Sequence, residues 1–347
     1  MSTYYLQKGF CYFKFKFNPS IIAEIKAIEG RRYNSQTKEW YVETSLINNG
    51  KIKAIIDGYG FELNEKPSLL GEKLDESVTN SIREEEEKEG IEEIKKDIAK
   101  LGLGITPRPF QYKGIFYMSV WGNMILGDDC GLGKTLQTIF TAELNNWFPC
   151  VVVCPASTNY QWGEKWREAN PNRIVSVIES PKTDNWDADV VIVKCTSLAK
   201  SDGEIIKYGK EVKNVIPKYP ELLRGWKYCV LDEIHFFKEK SAGRSQIAKK
   251  IADKSEIVLG LSGTLVLNRT KEIINPLILT KQFTKLFGTW QKFVERYCNA
   301  TKTPFGWNTN GSSNLMELNS ILKANCYLRR EKSEVRKDQP PIQETYY

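Results

Sequence analysis

From about residue 104 onward, short apolar runs alternate with stretches of helical composition, and this alternation constrains the fold more than any other feature. The runs NMIL, CVVVC, RIVSVI, DVVIVKC, YCVLDE and EIVLGLSG are four to eight residues long. The stretches near 134–146, 157–169 and 241–253 suit helices. Strands that are apolar throughout, separated by helices, belong to a parallel sheet covered on both faces. The expected class is therefore α/β.

The preceding residues differ. YFKFKF (12–17) alternates as a half-buried strand does. A short helix is expected over NPSIIAEIKAIEG (18–30), with Asn18 as its cap, Pro19 in its first turn and Gly30 at its end. KEWYVE (38–43) reads as a second strand. Residues 1–66 carry ten Lys and Arg against seven Asp and Glu. Residues 67–103 are charge-dense, with sparse Ile91, Ile94 and Ile98, and read as a solvated connecting helix. The expected organisation is a small α+β domain over 1–66, a charged helical linker over 67–103 and the α/β lobe over 104–347. A chain of 347 residues accommodates two such cores.

The net charge of +7 permits a polyanionic partner without requiring one. The eight cysteines form no C-x-x-C pair and there is one histidine, which argues against a zinc cluster. Cys150, Cys154 and Cys229 lie in apolar runs and read as buried, reduced thiols. The start lacks the form of a signal peptide, and no apolar run approaches the ~20 residues that span a bilayer. A cytoplasmic or nucleoid-associated protein with no membrane partner is expected.

The segment LGDDCGLGKT (126–135) follows a strand and opens a helix. It resembles the phosphate-loop pattern G-x-x-x-x-G-K-[ST], except that Asp128 stands where the first glycine belongs. Backbone N–H groups and a helix N-terminus make such a loop an anion site. Gly131 and Gly133 would let the backbone approach phosphate oxygens, Lys134 would reach the terminal phosphates, and Thr135 would bind magnesium. The competing reading is an ordinary tight turn.

YCVLDEIH (228–235) weakens that alternative. Asp232 at a strand end can hold magnesium, and Glu233 can orient and deprotonate a water. His235 directly follows the acid pair and reads as a link to a neighbouring motif, or else as a structural hydrogen bonder. LSGTL (261–265) ends another strand, where Ser262 and Thr264 offer hydroxyls. Alone it is a common turn. In RPFQYKG (108–114), Gln111 can pair with an adenine edge or stand as a surface glutamine.

These pieces in this order resemble the Swi/Snf branch of the superfamily-two helicase-like ATPases, over roughly residues 105–341. In that branch the phosphate loop reads aspartate, acid, any residue, then G-L-G-K-T, so Asp128 is the family's variant and Gly127 carries the small residue one place earlier. D-E-x-H and L-S-G-T also match, with Leu265 in place of a usual proline. The resemblance implies a RecA-like P-loop lobe, a parallel sheet with helices on both faces. It implies ATP and Mg as cofactors, with Gln111 reading adenine. VVVCPASTNYQWGEKW (151–166) matches the segment in which Pro155, Ser157 and Thr158 would lie near a tracked DNA strand. Asn268 and Arg269 match a stretch after the third motif. FVERYC (293–298) and LRREKSEV (328–335) match segments that close the first lobe.

Residues 15–42 resemble a HARP domain, carried by Gly30-Arg31-Arg32-Tyr33 and Lys38-x-Trp40. In annealing helicases this module helps engage forked DNA, which would give Arg31 and Arg32 phosphate contacts. A small structural appendage is the alternative. The resemblance implies an ATP-dependent translocase or annealing helicase on forked or double-stranded DNA, present as its ATP-binding half. The second lobe, with its arginine finger, is not recognised in this sequence, and Arg329 and Arg330 match the hinge. A separate chain carrying that lobe is a possible partner. A nucleotide-dependent DNA-binding module with little hydrolysis is the main alternative, and an RNA-directed helicase subunit is disfavoured by the HARP-like segment.

Overall fold

The computed structural model describes residues 2–7, 10–34, 38–43, 46–63, 76–180, 184–207, 210–263, 269–303 and 306–335. Two compact units are present, residues 1–92 and 93–347, each with its own core.

The first unit contains β1 (Thr3–Gln7), β2 (Phe10–Lys14), α1 (Pro19–Lys26), β3 (Arg32–Asn34), β4 (Glu39–Glu43), α2 (Leu46–Tyr59) and β5 (Glu62–Leu63). Its sheet has the order β3-β4-β2-β1-β5. Asn18 caps α1 by accepting from the N–H groups of Ser20 and Ile21 at 3.0 and 3.3 Å. The helix stops at Lys26, short of Gly30, and β2 stops at Lys14, short of Phe17. One face of the sheet is core: Cys11, Phe13 and Val42 pack on Ile21, Ile25, Ile52 and Ile55. The other face carries a row across four strands. Tyr5 is opposite Tyr12, Tyr12 opposite Tyr41, and Tyr41 opposite Arg32. The tyrosine rings stack at 4.8 and 5.1 Å.

α3 (Glu76–Lys100) follows. Its last turns are not solvated throughout: Ile98 is buried against Ile115 and Phe140, with Ile94 alongside.

The second unit is built on seven parallel strands. Its elements begin with α4 (Gln111–Trp121), β6 (Met124–Leu126), α5 (Lys134–Asn145), β7 (Cys150–Cys154), α6 (Asn159–Ala169), β8 (Val175–Val177) and β9 (Val190–Lys194). An antiparallel hairpin, β10 (Ala199–Lys207) and β11 (Lys210–Pro217), interrupts the pattern. β12 (Trp226–Leu231), α7 (Gly243–Lys254) and β13 (Ser255–Leu261) restore it. Then come α8 (Ile274–Leu279), α9 (Phe283–Phe287), α10 (Trp290–Tyr297), a short hairpin of β14 (Thr301–Thr303) and β15 (Gly306–Asn308), α11 (Leu315–Asn325), β16 (Tyr327–Leu328) and α12 (Lys332–Val335).

The strand order is β16-β6-β13-β12-β7-β9-β8. All five residues of β7 are buried. Successive strand residues point to opposite faces, so both faces are covered, as the apolar runs predict. Burial pushes the Cys154 and Cys229 thiols up to about 12, and both cysteines are unpaired. Among the described residues no helix is long and apolar enough to cross a membrane.

Candidate functional site

The turns after β6, β7, β12 and β13 all leave the carboxyl ends of parallel strands, so they share one edge of the sheet, the edge where ligands of open α/β folds bind. After β6 the chain forms the phosphate-type loop. Gly131 and Gly133 have φ of 85° and 74°, so both need glycine for backbone reasons. A Cβ on Gly127 would collide with the Tyr327 ring, and one on Gly133 with the Gln111 amide. Lys134 opens α5, and its Nζ donates to the carbonyl of Asp128 at 2.6 Å and, more weakly, to that of Asp129 at 3.4 Å.

Asp128 does not face the loop's interior. It is fully buried, and its carboxylate accepts from Arg330 Nε at 3.0 Å, from Arg330 Nη2, and from Gln137 Nε2 at 3.1 Å. Arg330 also donates to Gln137 Oε1 at 2.8 Å and to the Phe110 carbonyl. Asp129 accepts from Arg329 Nη2 at 3.0 Å and from the Lys332 N–H at 3.1 Å, while Arg329 Nη1 donates to the Gly263 carbonyl at 2.8 Å. The two acids bolt the loop to the segment leaving β16. Gln111 is buried beneath the loop, not on the surface. Its Oε1 accepts from the Arg108 N–H at 2.8 Å and its Nε2 donates to the Leu132 carbonyl at 3.2 Å. Reading an adenine edge would require Gln111 to leave these bonds.

After β12, Asp232 accepts from the Glu233 N–H at 3.0 Å and from Trp162 Nε1 at 2.9 Å. Glu233 stands in left-handed backbone, φ 49°. Desolvation raises both carboxyls above their ordinary range, opposed in part at Asp232 by the Trp162 hydrogen bond and at both by the Lys134 charge. His235 Nδ1 lies 3.1 Å from Glu233 Oε2 and 3.0 Å from the buried Ser262 Oγ. Burial, and next Lys238, lower the pKa of the imidazole from its ordinary value. After β7, Pro155 and Thr158 are half-buried and Ser157 is exposed. Thr264, Leu265 and Asn268 lie outside the described residues.

The oxygen donors of Thr135 and Asp232 suit a hard cation. Among the described residues no three His, Cys, Asp or Glu gather as a metal cluster. A magnesium ion there would complete its coordination with phosphate oxygens and water, which is how that ion is usually held beside nucleotides.

A family profile described as SNF2-related domain matches residues 38–347. The chain belongs to the SNF2-related family. A SWI/SNF-related matrix-associated actin-dependent regulator of chromatin subfamily A-like protein 1 from Xenopus tropicalis is 29% identical over 335 residues, covering 94% of this chain and 33% of the relative. The DNA annealing helicase and endonuclease ZRANB3 of Bos taurus is 33% identical over 244 residues, covering 67% of this chain and 21% of the relative. The chain thus spans a third or less of the length of these SNF2-related proteins. In fold, it is similar to the Sulfolobus solfataricus SWI2/SNF2 ATPase core solved in complex with dsDNA, with TM-score 0.50, 24% identity, and coverage of 69% of this chain and 47% of that one. The seven-stranded parallel sheet is accordingly a RecA-like lobe of the SNF2 type.

Three contributors escaped the motif reading: Trp162, Gln137 and the pairing of Arg329 and Arg330 with the loop acids. Each acts across tens to hundreds of residues. The one sequence signal was charge complementarity between Asp128-Asp129 and Arg329-Arg330.

Proposed function

We propose that this chain is the ATP-binding half of a DNA translocase of the annealing-helicase type, acting on forked or double-stranded DNA. The observation that carries this reading is the convergence of Lys134, Asp232, Glu233 and the His235–Ser262 bridge on one sheet edge. Lys134 Nζ, held on loop carbonyls, would exchange them for terminal phosphate oxygens. Thr135 and Asp232 would hold magnesium, which when bound neutralises charge developing on the transferred phosphoryl group. Glu233, with a raised pKa, suits a general base that accepts a proton from water. His235 would report that acid's state to the turn after β13, and Pro155, Ser157 and Thr158 would meet the DNA backbone.

Exposed Arg31, Arg32 and Tyr33 support a nucleic-acid role for the first unit, because arginine pairs phosphate and an exposed aromatic ring can stack a base. A second reading, nucleotide binding with little hydrolysis, is favoured by one observation. Arg329 and Arg330 are both engaged with loop acids, so neither is available as an arginine finger, a group worth about a thousandfold or more. A separate chain with a second lobe would then supply it.

The test is ATP hydrolysis by the 347-residue chain with and without forked DNA, beside Lys134→Ala. Stimulated turnover that Lys134→Ala abolishes supports the translocase. Nucleotide binding with negligible turnover supports the second reading. A Lys134→Ala variant with unchanged hydrolysis overturns the site assignment.

A further inference from the structure

Two tryptophans one helical turn apart on α6 use their indole N–H groups differently. Trp162 and Trp166 are both buried, with ring centroids 6.4 Å apart. Trp166 Nε1 donates to Glu143 Oε1 at 3.1 Å. That carboxylate also accepts from Asn170 and Arg173, near the end of α5 far from Lys134. This is a packing bond between elements. Trp162 Nε1 instead donates to Asp232 Oδ2 at 2.9 Å. The other oxygen of Asp232 accepts from the Glu233 N–H. Each carboxylate oxygen is thus aimed by one protein donor, and only the indole belongs to another element.

The same residue is tied to the turn after β7. The Trp162 N–H donates to the Thr158 carbonyl at 3.0 Å. Thr158 in turn donates to the Pro155 carbonyl, from its N–H at 3.1 Å and its Oγ1 at 3.2 Å. One hydrogen-bonded path therefore runs from the Pro155–Thr158 turn through the first turn of α6 to Asp232. The path is short and covalently continuous up to the indole, so a shift of the turn carries the donor with it.

We infer that Trp162 is a positioning residue that holds Asp232 in the rotamer that meets a divalent cation, and that it transmits movement of the Pro155–Thr158 turn to that carboxylate. The inference rests on the reading of Asp232 as a magnesium ligand and of the turn as a DNA contact. Partners that orient a metal ligand typically change metal affinity about 10–100-fold when removed.

The experiment measures affinity of the full chain for a fluorescent ATP analogue in magnesium and in EDTA, with and without duplex DNA. Trp162→Phe removes the donor and keeps a ring in the core. Trp166→Phe removes an equivalent bond to a buried acid and serves as the control. The expected result is unchanged affinity in EDTA for both variants. Trp162→Phe alone should need about tenfold more magnesium to reach its tightest binding, and DNA should no longer alter that requirement. Trp162→His, whose ring N–H can donate, should recover part of the effect, and it provides the same comparison if phenylalanine prevents folding. An unchanged magnesium requirement in Trp162→Phe, or an equal shift in Trp166→Phe, overturns the inference. A magnesium shift with an intact DNA response overturns the transmission step. Wild-type protein that binds the analogue without any magnesium dependence overturns the underlying site reading itself.

Discussion

Glu233 occupies a backbone conformation that costs a side-chain-bearing residue about 1–2 kcal/mol, and that conformation brings its carboxylate within reach of His235. Desolvation raises its pKa above the ordinary 4.5. The folded state therefore holds a proton that the unfolded chain has already released, and stability present below 4.5 is lost as pH rises through the folded value. Glu233→Gln removes this titration. The variant should gain in melting temperature relative to wild type as pH rises from acid to neutral, while hydrolysis falls about 10²–10⁴-fold. Melting curves across that range check the sign. A gap that narrows with rising pH would contradict the burial argument. Asp128 shows what was legible at this scale. Its departure from the glycine pattern could be read from the sequence, but its partner, Arg330, stands 202 residues away. No local signal names it.

Elements with continuous apolar character were legible. β6, β7, β9, β12 and β13 follow the runs that identify them, because a strand buried on both faces needs no partner to be recognised. β16 is two residues long and pairs with β6 only because the chain returns there. Helix α2 contains Asn48-Asn49-Gly50, a turn-like triplet that tertiary packing of Ile52 and Ile55 overrides. The hairpin of β10 and β11 lacks a clean period and carries a register shift between Ser201 and Glu204. The clamp between β16 and the phosphate loop makes an energetic prediction. Arg330→Ala leaves the fully buried Asp128 without its cation and should cost about 3–5 kcal/mol. Asp128→Ala added to Arg330→Ala should recover part of that loss. Urea unfolding of the single and double variants measures the coupling, and simple additivity would show that the pair does not act as a unit.

At the scale of the molecule, the proposed function gives nucleotide binding to the second core and shares DNA contacts between the two. Tyr33→Ala with Arg32→Ala should weaken DNA binding by about tenfold, from lost stacking and one phosphate pair, and leave nucleotide affinity unchanged. Lys134→Ala should do the reverse. Fluorescence anisotropy with forked DNA and with a nucleotide analogue separates the two, and a single variant that lowers both would argue against independent units. The position of β16 has a further consequence, for how the protein is made. β6, the strand that precedes the phosphate loop, is among the first strands of its sheet to leave the ribosome. Its outer neighbour, and the arginines that neutralise the loop's acids, emerge about two hundred residues later. Until then Gln137 can reach Asp128, but Arg330 is not there to meet its charge. A nascent chain can assemble most of the sheet, yet its nucleotide site should mature only when the last strand docks, a long-range closure of the kind that slows folding.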